Sequence, residues 1–268
     1  MGSLILAVIT LFFYSVGTAL QALKFRKRIN TTPSFDLMIG GLALAGHGAL
    51  LWTHSHLDGA FNFSLSHISV LISWLLVAML LLMNLRKPIQ SLFLAIYPLA
   101  ALTVVFLLIF HGPPKLVAEG NWGLLSHVAL SVTAYSLFTL AAVQALLLFA
   151  QNRQLKHKHS GLLVRNLPPL QTMESILFEM VWAGVILLVL AILTGAIFVK
   201  DLFAQDLAHK TLFSLVSLTV FVTLLIGRHA WGWRGEKAAR WTLTGCLLLM
   251  IGFYGSKFAL ELVFHRVG

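Results

Sequence analysis

Eight apolar runs, each close to the length of a membrane-spanning helix, constrain this chain more than any short motif. A helix needs roughly 20 residues to cross about 30 Å of hydrocarbon, and backbone polar groups in lipid must be satisfied within their own segment. We therefore predict an all-α, polytopic membrane helix bundle that forms a single transmembrane domain over residues 1–268. The predicted spans cover residues 4–23, 37–53, 65–85, 89–110, 124–150, 177–199, 211–227 and 241–264.

The basic residues lie in alternate loops between these runs, and this pattern predicts the orientation of the chain. Most of the 19 Lys and Arg residues fall in the first, third, fifth and seventh loops, whereas the even loops are short and nearly neutral. Loops rich in Lys and Arg stay on the cytoplasmic side of a membrane. The four basic loops are therefore predicted to be cytoplasmic, and with eight spans both termini lie on the outer, periplasmic side.

Composition excludes several classes of function. With 59% hydrophobic and 10% charged residues, too little polar surface remains for a soluble domain, so the lipid bilayer is the solvent of this chain. The formal charge of +10 is divided among short clusters beside apolar spans, which do not form the coherent basic face that nucleic acid requires. The single Cys246 excludes an intrachain disulfide. The chain has no HExxH motif, GxSxG motif or phosphate loop, and we predict that it is not an enzyme.

Most of the 11 histidines lie opposite the basic loops, in the outer loops or the outer halves of spans. Polar side chains inside a span are costly, so they usually face neighbouring protein or a cavity. In span five, His127, Ser131 and Tyr135 recur at four-residue spacing, which places them on one stripe of a helix. That spacing predicts a polar stripe directed toward protein and away from lipid.

Two further histidines occupy spans at a similar depth. His47, flanked by glycines that permit close approach of a helix or a flat ligand, lies about six residues, or roughly 9 Å, below the outer end of span two. His67 opens span three, and Trp74 lies two turns along the same face. Together with His127, these imidazoles are predicted to lie in the outer third of the bilayer.

Imidazoles at matched depth on different helices suggest axial ligands for a b-type haem. The spans would supply apolar walls, and the haem propionates would find the few cations predicted on the outer side, which are Lys115, Lys200, Lys210 and Lys257. For any one of these histidines an interhelical hydrogen bond is favoured over ligation, whereas for the set of three at one depth the two interpretations are about equal. A divalent-metal site made by the outer histidines is a competing interpretation.

Three stretches of the second half resemble the cytochrome c assembly protein family that includes CcsA, CcmC and HemX. They are "SHVALSVTAYSLFTLAA" at residues 126–142, the stretch "HKTLFSLVSLTVFVTLLIGRHAWGWRGEKAARWTLTG" at residues 209–245, and "YGSKFALELV" at residues 254–263. The length and the eight predicted spans are most similar to the YpjD-like branch of the bacterial inner membrane. The resemblance covers nearly the whole chain and implies a multi-pass protein of that membrane.

In this resemblance His127 matches the histidine at the head of the family's long span, and His47 resembles its early intramembrane histidine. Lys210 and Arg228 match the basic residues that bracket the span after the family's tryptophan-rich WWD segment. The chain departs from the family pattern at that segment, since residues 199–210 contain no tryptophan. It also has Ile226 where an intramembrane histidine is expected, and it lacks the family's terminal histidine.

The resulting hypothesis is a protein that binds or positions haem near the outer leaflet. Its candidate ligands are His47 and His127, with His67 in reserve, whereas Trp74 and Tyr135 would line the pocket and Lys210 and Lys257 would receive the propionates. The alternative is a non-enzymatic accessory or regulatory subunit of a membrane transporter, bound to another inner-membrane protein, that has lost haem handling. A third possibility, an ion or solute transporter, would require broken helices and polar residues at the midplane, for which the glycine-rich span two is only a weak candidate.

Overall fold

A computed structural model describes residues 2–57, 59–110, 114–157, 161–198 and 205–255. The helices are α1 (Gly2–Phe25), α2 (Pro33–Ser55), α3 (Leu65–Asn84), α4 (Phe93–Ile109), α5 (Trp122–Lys156), α6 (Leu162–Asn166), α7 (Leu170–Phe198), α8 (Gln205–Trp231) and α9 (Gly235–Met250). A 3₁₀ turn, Gln90–Leu92, precedes α4, and a π turn, Ile251–Gly255, follows α9. Three short strands, β1 (His56–Leu57), β2 (Ala60–Asn62) and β3 (Leu116–Ala118), form an antiparallel sheet in the order β1-β2-β3.

Seven helices among the described residues are long and apolar enough to cross a membrane, namely α1, α2, α3, α4 with its 3₁₀ turn, α5, α7 and α8. The prediction of an all-α polytopic bundle is confirmed at this level. In place of the eighth predicted span, residues 241–264, the structure has the 16-residue helix α9 and the π turn, and residues beyond 255 lie outside the described part. The count of eight and the outer position of both termini stay predictions.

The chain groups into two compact units, residues 1–120 and residues 121–268, which we term the N-terminal unit and the C-terminal unit. The N-terminal unit contains α1 to α4 and the sheet, and the C-terminal unit contains α5 to α9. The single transmembrane domain over residues 1–268 stays a prediction.

In the N-terminal unit, the helices form a closed ring in which α1 and α3 each pack against both α2 and α4. Glycines make the close contacts possible. The Tyr97 side chain of α4 lies between Gly17 of α1 and Gly40 of α2, and a Cβ atom at Gly17 would lie 2.7 Å from the Tyr97 ring. Small residues let helices in membranes approach closely. The predicted span two is one continuous helix, α2, whose glycines serve helix packing. It is therefore not a broken helix of the kind that a transporter requires.

Gly40→Ala is expected to lower the free energy of unfolding by about 1–3 kcal/mol, the usual cost of overpacking a filled core. The new Cβ atom would lie 2.5 Å from the Tyr97 hydroxyl oxygen and 2.7 Å from Leu81 Cδ2, and both side chains are buried. The adjacent Gly41 has no heavy atom within 4 Å of such a Cβ. Gly41→Ala should thus be neutral or mildly stabilising, since alanine favours a helix over glycine. Unfolding in mixed micelles with increasing SDS would measure both variants, and equal effects would contradict this packing.

In the C-terminal unit, the long helix α5 packs along α7 and also against α9, while α8 packs against α9 and α7. The core contains a stacked pair of rings, Phe138 of α5 and Phe221 of α8, whose centroids are 4.0 Å apart. Gly184 of α7 lies against Phe138, and Gly245 of α9 lies against Phe221. These four helices therefore meet at one aromatic pair.

Candidate functional site

His47 is a fully buried imidazole in the N-terminal unit. Its side chain is 0% exposed, and its Nδ1 atom lies 2.8 Å from the Tyr14 hydroxyl oxygen. Its Nε2 atom makes no hydrogen bond with any described residue, although the backbone of Val70 is a polar neighbour of the ring. If the proton is on Nδ1 and donated to Tyr14, Nε2 has a free lone pair, as metal ligation requires.

The surroundings of His47 are apolar and filled. Leu50 and Val70 belong to a buried cluster that also includes side chains of α1 and α4. The two glycines that flank His47 are themselves in contact with other helices, because Thr10 of α1 lies against Gly46 and the Trp74 ring of α3 lies against Gly48. The close approach that these glycines permit is therefore made by helices.

Trp74 has a definite structural contact beside His47. Its Nε1–H donates to the Leu44 carbonyl at 3.1 Å and so ties α3 to α2. A buried tryptophan N–H usually finds such a partner. The structure brings Trp74 and His47 into one unit, while the role of Trp74 as a pocket wall stays a prediction.

His67 is engaged through both ring nitrogens. The Nε2 atom lies 3.2 Å from the His54 carbonyl oxygen, and Nδ1 lies 2.7 Å from the Ser64 hydroxyl. Because a carbonyl only accepts, the proton is on Nε2, and the Ser64 hydroxyl donates to Nδ1. Ligation through His67 would require the loss of one of these hydrogen bonds, which makes it a weaker ligand candidate than the sequence suggested.

His127, in the C-terminal unit, has the hydrogen bond that orients many ligand histidines. Its Nδ1 atom lies 2.8 Å from the Ala191 carbonyl oxygen of α7, so Nδ1 carries the proton and donates it. The neutral ring then has its lone pair on Nε2. Gly195 makes room for the ring, since a Cβ atom there would lie 2.9 Å from His127 Cε1.

Tyr135 lies two turns along α5 from His127. Its hydroxyl oxygen is buried and makes no hydrogen bond with any described residue, and its ring contacts Phe253 and Tyr254 at 5.6 and 5.7 Å between centroids. Lys210 is half-buried on α8, and Lys257 lies outside the described residues. The proposed roles of these two lysines at haem propionates stay predictions.

The two ligand candidates belong to different units, His47 to the first and His127 to the second. Each is therefore a single imidazole with its own supporting hydrogen bond, and their pairing stays a prediction. Among the described residues, no three His, Cys, Asp or Glu side chains are grouped closely enough to hold a metal ion. The competing site for a divalent metal thus gains no support from the part of the chain that the structure describes.

Sequence reasoning missed a buried carboxylate, Glu174, because span six was predicted to begin at residue 177. The helix α7 begins at Leu170, and the Glu174 side chain is 5% exposed. Its Oε1 atom accepts the Gly235 backbone N–H at 2.6 Å, and its Oε2 atom accepts Arg234 Nε–H at 3.1 Å. Arg228 Nη1 lies 3.8 Å from Oε2. An acidic residue just before a predicted span, with a basic loop on the same side of the membrane, was the available signal.

Fold and site together define a polytopic α-helical membrane protein with single imidazoles held in its helix packing. The family described as cytochrome C assembly protein matches residues 62–264, and the chain belongs to this family. The match includes His127, Tyr135 and Lys210, whereas His47 precedes it. No solved structure matches the chain.

Curated relatives agree with this assignment. The chain is 26% identical to "Inner membrane protein YpjD" of Escherichia coli K12 over 97% of its own length and 99% of the relative. It is 32% identical to an "Uncharacterized 28.8 kDa protein in nifR3-like 5'region" of Azospirillum brasilense over 84% of this chain and 85% of that one. "Protein HemX" of Brevibacillus brevis is 31% identical over 49% of each chain. The predicted YpjD-like branch is confirmed, and the chain is a multi-pass inner-membrane protein.

Proposed function

We propose that this protein binds or positions haem, or a related tetrapyrrole, near the outer leaflet through histidines of its transmembrane helices. The His127 ring carries the proposal, because its Nδ1–H is held by the Ala191 carbonyl and the neutral ring leaves a lone pair on Nε2. His127 also lies within the range that matches the cytochrome C assembly protein family. Haem iron takes such neutral imidazoles as axial ligands.

His47 is the second ligand candidate. A buried imidazole nitrogen without a hydrogen bond is costly inside a membrane protein, and the Val70 backbone is the polar neighbour of the His47 ring besides Tyr14, although Nε2 makes no hydrogen bond with any described residue. Tyr14 holds the opposite nitrogen and fixes the plane of the ring. Because Thr10 and Trp74 fill the space beside the flanking glycines, ligand binding here would require local movement of α1 or α3.

The role that we propose is binding and presentation, without catalysis by the chain itself. Among the described residues, Tyr14 is the buried tyrosine that contacts His47, whereas the Tyr135 hydroxyl, two turns from His127, makes no hydrogen bond. General acid–base chemistry needs a donor and an acceptor within hydrogen-bond reach of a substrate. Positioning a bound tetrapyrrole requires only the imidazole and its support.

An absorption spectrum of the purified full-length protein tests this function. We expect a Soret band after expression with ample haem, its loss in His127→Ala and its weakening in His47→Ala. The exposed His209 of α8 provides the matched control. The variant His209→Ala removes an imidazole that is neither buried nor a proposed haem ligand. Absence of the band from the unsubstituted protein, or an unchanged band in a folded His127→Ala variant, would contradict the proposal.

The alternative function is an accessory or regulatory subunit of a membrane transporter. Ile226, at the position of an intramembrane histidine of the family, is an apolar side chain that is 52% exposed, so the helix α8 carries no replacement ligand there. Affinity purification in mild detergent separates the two functions. A stoichiometric inner-membrane partner recovered together with a protein that has no chromophore would select the accessory role.

A further inference from the structure

A surface recess lies where α8 ends and α9 begins, within the C-terminal unit. It has a volume of about 710 Å³ and is lined by Trp231, Gly232, Trp233, Arg234 and Lys237. We term it the tryptophan recess. The proposed haem ligands contribute nothing to it, and by the distribution of Lys and Arg it belongs to a loop predicted to be cytoplasmic.

The wall of the tryptophan recess has a fixed shape. Gly232 and Gly235 have φ angles of 63° and 56°, a backbone conformation that favours glycine. The Trp233 N–H donates to the Gly227 carbonyl at 3.0 Å, and the Trp233 ring covers Gly227 and lies 5.0 Å from the Trp241 ring. The loop is therefore held by backbone geometry, a hydrogen bond and ring packing.

The recess carries an excess of positive charge. Glu174 is shared by Arg228 and Arg234, so one carboxylate faces two guanidinium groups. Lys237 makes no ion pair with any described carboxylate, and its Nζ atom lies 4.0 Å from the centre of the Trp233 ring. Among the described residues, Arg228, Arg234 and Lys237 thus carry two positive charges more than Glu174 balances, and Arg234 and Lys237 line the recess itself.

The acidic neighbour of Lys237 does not cancel this charge. Glu236 forms ion pairs with Lys156 and Arg240, and the hydrogen bond from Lys156 is the main cause that lowers the pKa of the Glu236 carboxyl. Glu236 therefore stays ionised and remains bound to two cations outside the recess. An anion that enters the recess would meet Arg234 and Lys237, which line it.

Trp231 is an exposed residue of the type that is enriched at the depth of lipid headgroups. Its side chain is 66% exposed and lies 5.6 Å from the Trp233 ring. Tryptophan is enriched at membrane interfaces because its ring is apolar and its N–H is polar. We propose that the tryptophan recess binds the phosphate headgroup of an anionic phospholipid of the inner leaflet, with Arg234 and Lys237 facing the phosphate and Trp231 facing the upper acyl chain.

Native mass spectrometry of the full-length protein, purified with phosphatidylglycerol or phosphatidylcholine, tests this site. We expect selective retention of phosphatidylglycerol and a loss of roughly tenfold in Lys237→Gln, the factor expected for one lost hydrogen bond between a cation and a phosphate. Lys237→Arg should restore retention, and Trp231→Ala should lower it without unfolding the protein. The variant Lys27→Gln removes the same charge at another exposed position of a basic loop and should leave retention unchanged.

Three results would overturn the proposal. Equal retention of the two lipids would remove the headgroup selectivity, and equal losses in Lys237→Gln and Lys27→Gln would indicate general attraction between basic loops and anionic lipid. The third is displacement of phosphatidylglycerol by excess inorganic phosphate with the same dependence on Lys237, which would assign the recess to a soluble phosphate. Failure of phosphate to compete, together with loss in both Lys237→Gln and Trp231→Ala, would support the lipid.

Discussion

Glu174→Ala is expected to lower the free energy of unfolding by about 3 kcal/mol, near the lower end for a broken buried ion pair. The substitution removes the partner of Arg228 and Arg234 and the acceptor of the Gly235 N–H at the start of α9. The cost stays near the lower end because the Arg228 and Arg234 side chains are 29% and 56% exposed and keep contact with solvent. The protein should unfold at a lower SDS fraction in mixed micelles.

A second variant of Glu174 and a control on the same helix separate the effect of charge from that of packing. Glu174→Gln keeps an oxygen for the Gly235 N–H but loses the charge, so we expect a smaller destabilisation than with alanine. Glu179 lies on the same helix and is exposed, so Glu179→Ala should change the stability little. If Glu174→Ala and Glu179→Ala unfold at the same SDS fraction, Glu174 does not hold α7 to the loop before α9.

Phe138→Ala is expected to cost about 3 kcal/mol, the lower end of the range for buried aromatic rings replaced by alanine. Phe138 is 2% exposed, and its ring stacks on Phe221, which is fully buried. The contacts of both rings with Gly184 and Gly245 join α5, α7, α8 and α9 at one place. In lipid, where apolar transfer adds little, this loss is chiefly one of packing between helices.

An exposed phenylalanine of α1 provides a matched control. Phe12 of α1 is 62% exposed, so Phe12→Ala should change the free energy of unfolding far less than Phe138→Ala. Cooperative unfolding followed by circular dichroism in SDS mixtures would measure both variants. Similar midpoints for the two would show that the stacked pair does not hold the C-terminal unit together.

The positions of the helices follow largely from hydropathy. The predicted span 65–85 is α3 (Leu65–Asn84), and the predicted span 37–53 lies within α2 (Pro33–Ser55). Agreement is this close because roughly 20 consecutive apolar residues have no stable alternative to a helix in lipid. Hydropathy marks the part of a helix within hydrocarbon and cannot mark where the helix itself ends.

The helices α5 and α7 show that limit. The predicted span 124–150 ends before the end of α5 (Trp122–Lys156). The predicted span 177–199 begins after the start of α7 (Leu170–Phe198). The polar turns beyond the hydrocarbon stay helical because they make tertiary contacts. Gln151 donates to the Pro168 carbonyl at 3.1 Å, and Glu174 binds the loop before α9. Such contacts join residues far apart in the chain, and no local pattern encodes them.

The candidate site divides in the same way. Counting residues along each predicted helix was enough to select His47, His67 and His127 as candidate ligands, and their similar depth stays a prediction. The hydrogen bonds of each ring come from other elements of the fold. The His54 carbonyl binds His67, the Tyr14 hydroxyl binds His47 and the Ala191 carbonyl binds His127. Only those partners distinguish a ring with an available lone pair from one that is already engaged.

Composition and apolar spacing alone established a helical membrane protein, because transfer into lipid depends on each segment by itself, and the basic loops on one side stay a prediction. Tertiary packing determines which of two similar, nearby residues is buried in a contact and which is exposed. Gly40 lies against Tyr97 and Leu81, whereas Gly41 meets open space, and Glu174 is buried in an ion pair while Glu179 is exposed. Side chains from distant parts of the chain determine these differences, because each packed helix presents only one face to its neighbours.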